Sequence, residues 1–159
     1  MDTKKLTDGL NKLGIPDDEI TSISHKMESY IHEIILFNSA YNLTNTSDEQ
    51  ELVVRHVLDS LSPYQIIKKI CTNLSTKQDK VCIADIGSGG GFPGIPLASV
   101  FPQYKFILVE RMSKRCAFLE NCVAILDLKN VEVVNKEAEK VAKSTADTLK
   151  STSPKRKGK

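Results

Sequence analysis

Residues 81–94 read Val-Cys-Ile-Ala-Asp-Ile-Gly-Ser-Gly-Gly-Gly-Phe-Pro-Gly, and this stretch decides the fold. Its first six residues form a short apolar run that stops at a cluster of glycines. That is the pattern of a buried parallel strand entering a tight turn. A helix is predicted from Pro93 to about Val100, and Lys-Phe-Ile-Leu-Val-Glu (105–110) reads as a second strand. Ser113 is placed to cap a helix whose core face is Leu119, Cys122, Val123 and Leu126, and Val-Glu-Val-Val (131–134) makes a third strand. Strand–helix–strand–helix–strand is half of a doubly wound, Rossmann-like α/β sheet, and right-handed crossovers put its strands in the order 3-2-1. One further helical stretch, Lys136–Ala142, completes an expected core over residues 80–142.

Upstream, residues 1–79 read as a helical region with a polar linker at its end. Leu6, Leu10 and Leu13 share a helix face, and Gly14 stands where a C′ glycine ends a helix. Pro16 with Asp17, Asp18 and Glu19 marks a new start, since proline suits N1 and acids suit the positive end of the helix dipole. Ile20, Ile23, Met27, Ile31, Ile34 and Phe37 then form one stripe, and a polar break begins at Asn38. Ser47 with Gln50 three residues on reads as a capping box, opening a helix that faces the core through Leu52, Val53, Val57 and Leu61. Ser62-Pro63 starts a short helix with Ile66, Ile67 and Ile70 inward, and residues 72–80 read as linker.

Composition bounds the function classes. The chain has 159 residues, 40% of them hydrophobic and 26% charged, which suits one globular unit and excludes a disordered chain or a disulfide scaffold. A net charge of +2 hides a split: residues 1–149 carry 17 basic and 20 acidic side chains, while Lys150, Lys155, Arg156, Lys157 and Lys159 make the end basic. Residues 143–159 lack apolar periodicity and are expected to be disordered, a candidate phosphate-binding tail. No apolar run approaches the ~20 residues that span a bilayer, and no export signal opens the chain, so the expected location is cytoplasmic. Cys71, Cys82, Cys116 and Cys122 include no Cys-x-x-Cys pair, and His25, His32 and His56 add no closely spaced ligands. The cysteines are therefore read as reduced and mostly buried, with no metal site.

The glycine turn carries the chemistry. Without Cβ atoms, Gly87, Gly89 and Gly91 let the backbone take positive φ and approach a ligand closely. Glu110, at the end of the second strand, puts a carboxylate beside the turn, where it can accept both hydroxyls of a ribose. The pair predicts an adenosine-containing cofactor. Gly89–Gly94 formally fits G-x-G-x-x-G, but Asp85 two residues before the first glycine gives D-x-G-x-G-x-G, typical of class I methyltransferases. Phe92-Pro93 also crowds the helix start that a pyrophosphate would need. Both features favour S-adenosylmethionine over NAD, and the absence of a following Gly-Lys-Ser/Thr excludes a P-loop.

At this point the chain resembles a particular family. Asn-Ser-Ala-Tyr-Asn-Leu-Thr (38–44), Val-Arg-His-Val-Leu-Asp-Ser (54–60), Gly-Ser-Gly-Gly-Gly-Phe-Pro-Gly-Ile-Pro-Leu-Ala (87–98) and Ser113-Lys114-Arg115 with Phe118-Leu119 look like the bacterial small-subunit ribosomal RNA methyltransferase G (RsmG/GidB) family. The resemblance runs from about residue 5 to 141. It implies a class I fold and methylation of N7 of one guanine in 16S rRNA of the small ribosomal subunit, with S-adenosylmethionine as donor. By position Gly87 and Phe92 match cofactor contacts, Ala138 and Glu139 match the pair that meets the adenine, and Glu110 stands where the family has its ribose acid. Arg55, His56 and Asp59 match a signature near the cofactor mouth.

Guanine N7 carries a lone pair and no proton, so its methylation calls for alignment and names no catalytic base. Arg55, Lys114 and Arg115 are the candidate RNA contacts. The last two sit at a helix N-terminus, where each cation is disfavoured by ~0.3–1 kcal/mol, so a role facing phosphate is the better account of them. The family's later strands and its Ser-Arg-Ala-Phe-type segment have no counterpart in residues 140–159. The expectation is therefore a C-terminally truncated member whose first strand, normally paired on both sides, has an open edge. Two rival readings stay open: an inactive remnant or binding module of the same family, and an NAD-dependent oxidoreductase half-domain.

Overall fold

The computed structural model describes residues 3–75 and 81–140. Helix α1 (Thr3–Lys12) buries Leu6 and Leu10 completely. It closes in a Schellman motif: Gly14 takes φ 77°, its N–H reaches the Asn11 carbonyl at 2.9 Å, and Ile15 N–H returns to Leu10 at 3.3 Å. Helix α2 (Asp17–Tyr41) follows, with Pro16 one place earlier than expected, at the N-cap. The stripe Ile20, Ile23, Met27, Ile31 and Ile34 is buried along it, joined by Tyr30.

Asn38 does not end this helix. Its backbone stays helical while its side chain shapes the next loop, accepting from Leu43 and Thr44 N–H at 2.9 Å each and donating to the Thr46 carbonyl. The helix stops at Asn42, which turns left-handed at φ 47°.

The next cap is Asp48, not Ser47. The Asp48 carboxylate accepts from Glu51 N–H at 2.8 Å, and the Ser47 hydroxyl instead receives Asn38. After one α turn, α3 (Glu49–Glu51), the chain widens into a π-helix over Leu52–Leu58 and returns to α geometry in α4 (Asp59–Leu61). Leu52, Val53, Val57 and Leu61 are fully buried, as their spacing predicts. Helix α5 (Tyr64–Ser75) runs into what reads as linker; residues 76–80 lie outside the described residues. Its inward face also differs from the sequence reading. Tyr64 stacks on Phe101 at 5.0 Å, and Cys71 and Ile67 join the core, whereas Ile66 (63% exposed), Ile70 and Leu74 form an apolar stripe open to solvent. The apolar residues of α5 spread over nearly half of its circumference, wider than one buried face, which leaves the helix phase undetermined by pattern alone.

Strands β1 (Cys82–Ile86), β2 (Lys105–Glu110) and β3 (Val131–Asn135) pair in parallel in the order β1-β2-β3, the expected 3-2-1 read from the other edge. Helix α6 (Gly94–Val100) and helix α7 (Ser113–Ile125) make the crossovers. Met112, not Ser113, holds the N-cap position of α7, with no side-chain cap. The register sets Ile83, Phe106 and Val131 in one row and Asp85, Leu108 and Val133 in another, and the apolar members of both rows belong to the core. The alternate rows are barer. Cys82, Ala84 and Ile86 are exposed, and Lys105 pairs with Glu132 across the sheet at 2.6 Å. Among the described residues β1 is an edge strand.

One hydrophobic cluster runs from Leu6 to Leu128, so the helical region and the sheet share a core. Helical backbone resumes at 138–140; the rest of the stretch expected over 136–142, and the tail 143–159, lie outside the described residues. Among the described residues no helix is long and apolar enough to cross a membrane.

Replacing Ile66, Ile70 and Leu74 together with glutamine is expected to leave unfolding free energy within about 0.5 kcal/mol per site and to reduce binding of a hydrophobic dye. Thermal melts and dye fluorescence read the two effects, and a large loss of Tm would show that the stripe is buried.

Candidate cofactor site

The three strands end side by side, and their carboxyl ends carry the site. β1 runs into the loop 87–93, which folds back on β2 through Gly87 and Ser88 N–H to the Val109 carbonyl at 2.8 and 3.1 Å. Gly87 needs φ +81°, and a Cβ placed there would meet nothing within 4 Å, so its bare face borders open space. Gly91 is glycine for another reason: at φ +96° its Cβ would come within 2.7 Å of the Tyr30 hydroxyl. Tyr30, fully buried on α2, donates that hydroxyl to the Gly90 carbonyl at 2.5 Å and packs its ring on Phe92 at 5.1 Å.

Glu110 is only 4% exposed, and its carboxylate braces the turn from the β2 side. One oxygen accepts Gly89 N–H at 3.0 Å and the other Met112 N–H at 2.8 Å. A carboxylate has about four acceptor positions, so roughly two are left beyond these bonds. The cavity beside it, about 360 Å³, is walled by Gly87, Glu110, Met112, Arg115, Lys136 and Ala138, among others. Arg115 reaches it from α7 after donating to the Asn42 carbonyl at 2.8 Å, and its Nε is buried without a partner.

At the other end of the loop, a second cleft of about 360 Å³ lies between Phe92-Pro93 and the helical residues Arg55, His56, Asp59 and Ser60. His56 lies on Phe92 with ring centres 5.0 Å apart.

Comparison with known proteins decides the family. The family model for rRNA small subunit methyltransferase G matches residues 23–152. The chain belongs to the rRNA small subunit methyltransferase G family. It is 38% identical to the ribosomal RNA small subunit methyltransferase G of Treponema denticola over 166 aligned residues, covering 91% of this chain and 65% of that protein. The protein of the same name from Stutzerimonas stutzeri is 38% identical, with 90% of this chain and 61% of that protein covered. That of Roseiflexus castenholzii is 43% identical over 72% of this chain and 45% of its own length. The chain thus spans 61–65% of the length of the first two relatives.

Within this family member, the predicted cofactor residues divide between the two cavities. Gly87, Glu110 and Ala138 line the first, while Phe92 lines the second with Arg55. Glu139 is exposed next to Ala138. Gly89 serves through its N–H on Glu110, and Gly91 packs behind the loop. Asp85 faces the core side of the sheet, where its carboxylate accepts Gly94 N–H at 3.1 Å and ties β1 to the start of α6. Of the three candidate RNA contacts, Arg55 pairs with Glu51 at 2.7 Å, Lys114 is exposed, and Arg115 is half-buried at the cavity beside Glu110. Tyr30, Met112 and Lys136 were not singled out from the sequence. Tyr30 alone had a signal there, a phenol lying on an otherwise aliphatic stripe.

Two outcomes follow from this geometry. Tyr30→Phe leaves the buried Gly90 carbonyl without its donor, and urea unfolding is expected to show a loss of about 1–3 kcal/mol. Burial raises the Asp85 pKa above its ordinary 3.8, with hydrogen bonds from Ser88 and Gly94 pulling against it. The protonated form is thus favoured in the fold: the stability it contributes is fully present below the ordinary value and is lost as pH rises through the raised one. Asp85→Asn keeps an acceptor for Gly94 N–H. It is expected to remove this loss and raise Tm near neutral pH, read from melts between about pH 3 and about pH 7.

Proposed function

We propose that the chain binds S-adenosylmethionine in the Glu110 cavity and serves the transfer of its methyl group to N7 of a guanine in 16S rRNA of the small ribosomal subunit, in the cytoplasm. The observation that carries the reading is the buried Glu110 carboxylate. Its two remaining acceptor positions match the two hydroxyls of a ribose, beside a glycine that leaves the cavity open. Arg115 brings a guanidinium to the same wall. Ala138 and Glu139 follow β3 at the place assigned to the adenine, and Phe92 closes the loop at its other end. The relatives' names, which describe a ribosomal RNA small subunit methyltransferase, support the substrate class.

When bound, the donor supplies a methyl group on a sulfonium: the N7 lone pair forms the new N–C bond, the C–S electron pair stays on sulfur, and the positive charge passes to the guanine. N7 bears no proton, so the protein needs no base. Its part is to hold donor and acceptor at near-attack distance and to keep the loop between them fixed.

The NAD alternative meets a specific obstacle. A dinucleotide places its pyrophosphate on free N–H groups at the first helix. Here Gly94 N–H is already taken by the Asp85 carboxylate, whose charge opposes an anion.

Calorimetry with S-adenosylhomocysteine and with NAD tests the reading. Binding of the first and none of the second is expected. Removing the ligand's 2′-hydroxyl is expected to weaken binding about tenfold in the native chain and little in Glu110→Gln, the pattern of a direct hydrogen bond to a charged group. Equal loss in both proteins would overturn the ribose assignment. Tritium transfer to small subunits, followed by strand scission at N7-methylguanine, checks the reaction itself.

A further inference from the structure

The cleft of Arg55, His56, Asp59, Phe92 and Pro93 is not used by the adenosine site, yet it shares the loop 87–93 as a wall. Its chemistry is specific. Arg55 is drawn back along its own helix to Glu51 at 2.7 Å, although Asp59 lies the same four residues away on the other side. Arg55 and His56 lie in the π-helical segment Leu52–Leu58, and such segments recur at functional sites. The Asp59 carboxylate is left with neither an ion pair nor a side-chain hydrogen bond among the described residues. Next to it, the rings of His56 and Phe92 are in contact, and Tyr30 supports Phe92 from behind.

We infer that this cleft receives the acceptor guanine, with Asp59 accepting its N1–H and exocyclic N2–H hydrogens and the His56–Phe92 pair stacking on its face. The inference rests on the proposed methyl transfer and names the residues that select its substrate base. Guanine alone among the four RNA bases offers two adjacent donors on its Watson–Crick edge, which match an acceptor-only carboxylate. Adenine presents an acceptor at N1, which the carboxylate repels. The guanine N7 lies on the opposite edge, so a base held through Asp59 presents N7 away from that anchor. An unstacked RNA base seated on aromatic rings is the usual form of sequence-specific recognition of single-stranded RNA.

The arrangement also acts on the rate. As the N7–methyl bond forms, positive charge enters the base and N1–H becomes more acidic. Its bond to the Asp59 carboxylate then strengthens, and the ring faces of His56 and Phe92 meet a developing cation. Both interactions are stronger in the transition state than in the bound guanine, which is the condition for raising the rate of transfer.

The test uses the full chain with and without saturating S-adenosylhomocysteine, titrated with GMP, IMP and AMP and read by the histidine ring-proton signals. Only three histidines are present, so His56 is assignable by substitution of His25 and His32. GMP is expected to move the His56 signal, IMP, with one donor, to bind about tenfold more weakly, and AMP to leave it unmoved. Asp59→Asn and Asp59→Ala are each expected to lower GMP affinity about tenfold or more, with S-adenosylhomocysteine affinity and Tm unchanged. Equal binding of GMP and AMP, or GMP binding that survives both substitutions, overturns the assignment. A fall in S-adenosylhomocysteine affinity in the variants also overturns it and gives the cleft to the methionyl ammonium. Base binding at His56 in a chain that takes no S-adenosylhomocysteine would keep the cleft and sink the donor reading.

Discussion

One buried hydrogen bond, from the Tyr30 hydroxyl to the Gly90 carbonyl at 2.5 Å, holds the geometry on which both cavities depend. The phenol lies in the core, and burial raises its pKa well above the usual value, with Cys122 and Asp85 pushing the same way. It therefore stays protonated and remains a donor. To accept it, the loop must pass close over the ring, and that explains much of the glycine run. Gly90 packs against Leu43, Gly91 against Tyr30 and Leu119, and Gly94 against Leu108 and Asp85. Only Gly87 and Gly89 lie toward Glu110 and its cavity. The motif is thus less a ligand cradle along its whole length than a backbone pressed onto its own core, with one end turned to a ligand.

This division limits what could be read from the sequence. The strand–glycine–helix passage and the aliphatic stripe of α2 were legible because each follows a strong local pattern, and the order of the strands because crossovers are right-handed. Helix phase and capping were less so. Ser47 and Asp48 are both good caps one residue apart, and Asn38, nine residues upstream, settles the matter by engaging the Ser47 hydroxyl. In α5 the apolar residues cover more of the helix than one buried face needs, and the stacking of Tyr64 on Phe101 decides which side faces in. The place of Glu110 beside the glycine turn was legible because the end of a strand fixes it. The bond of Arg115 to the Asn42 carbonyl is not legible in the sequence, because the two residues are 73 positions apart and the carbonyl becomes available only where α2 ends in a left-handed turn.

The same long-range contacts join the helical region to the sheet. Arg115 reaches Asn42, Asn121 donates to Glu33 at 2.8 Å, and Phe118 meets Phe37 edge-on. All three tie α7 to α2 or its end, and Tyr30 ties α2 to the loop. The helical region therefore does more than flank the sheet. It forms the back of the glycine loop and, through His56 and Asp59, one wall of the second cleft.

That placement gives a physical reason why no side chain could be named as catalytic from sequence. In the proposed transfer to an unprotonated nitrogen no acid or base is needed, so the reactive atoms all belong to the two ligands. On the proposed chemistry, the donor lies on the Glu110 side of the loop 87–93 and the acceptor on the Phe92 side, and the loop sets their separation. A displacement of about 1 Å in such an arrangement costs rate as heavily as losing a reactive group. The residues with the greatest leverage are then the ones that immobilise the loop: Tyr30 from behind, Glu110 through Gly89, and Asp85 through Gly94. Asp85 and Glu110 were visible from the motif. Tyr30, contributed by a helix 60 residues away, shows in the sequence only as a phenol on an aliphatic stripe, and its hold on the loop becomes visible only when the chain is folded.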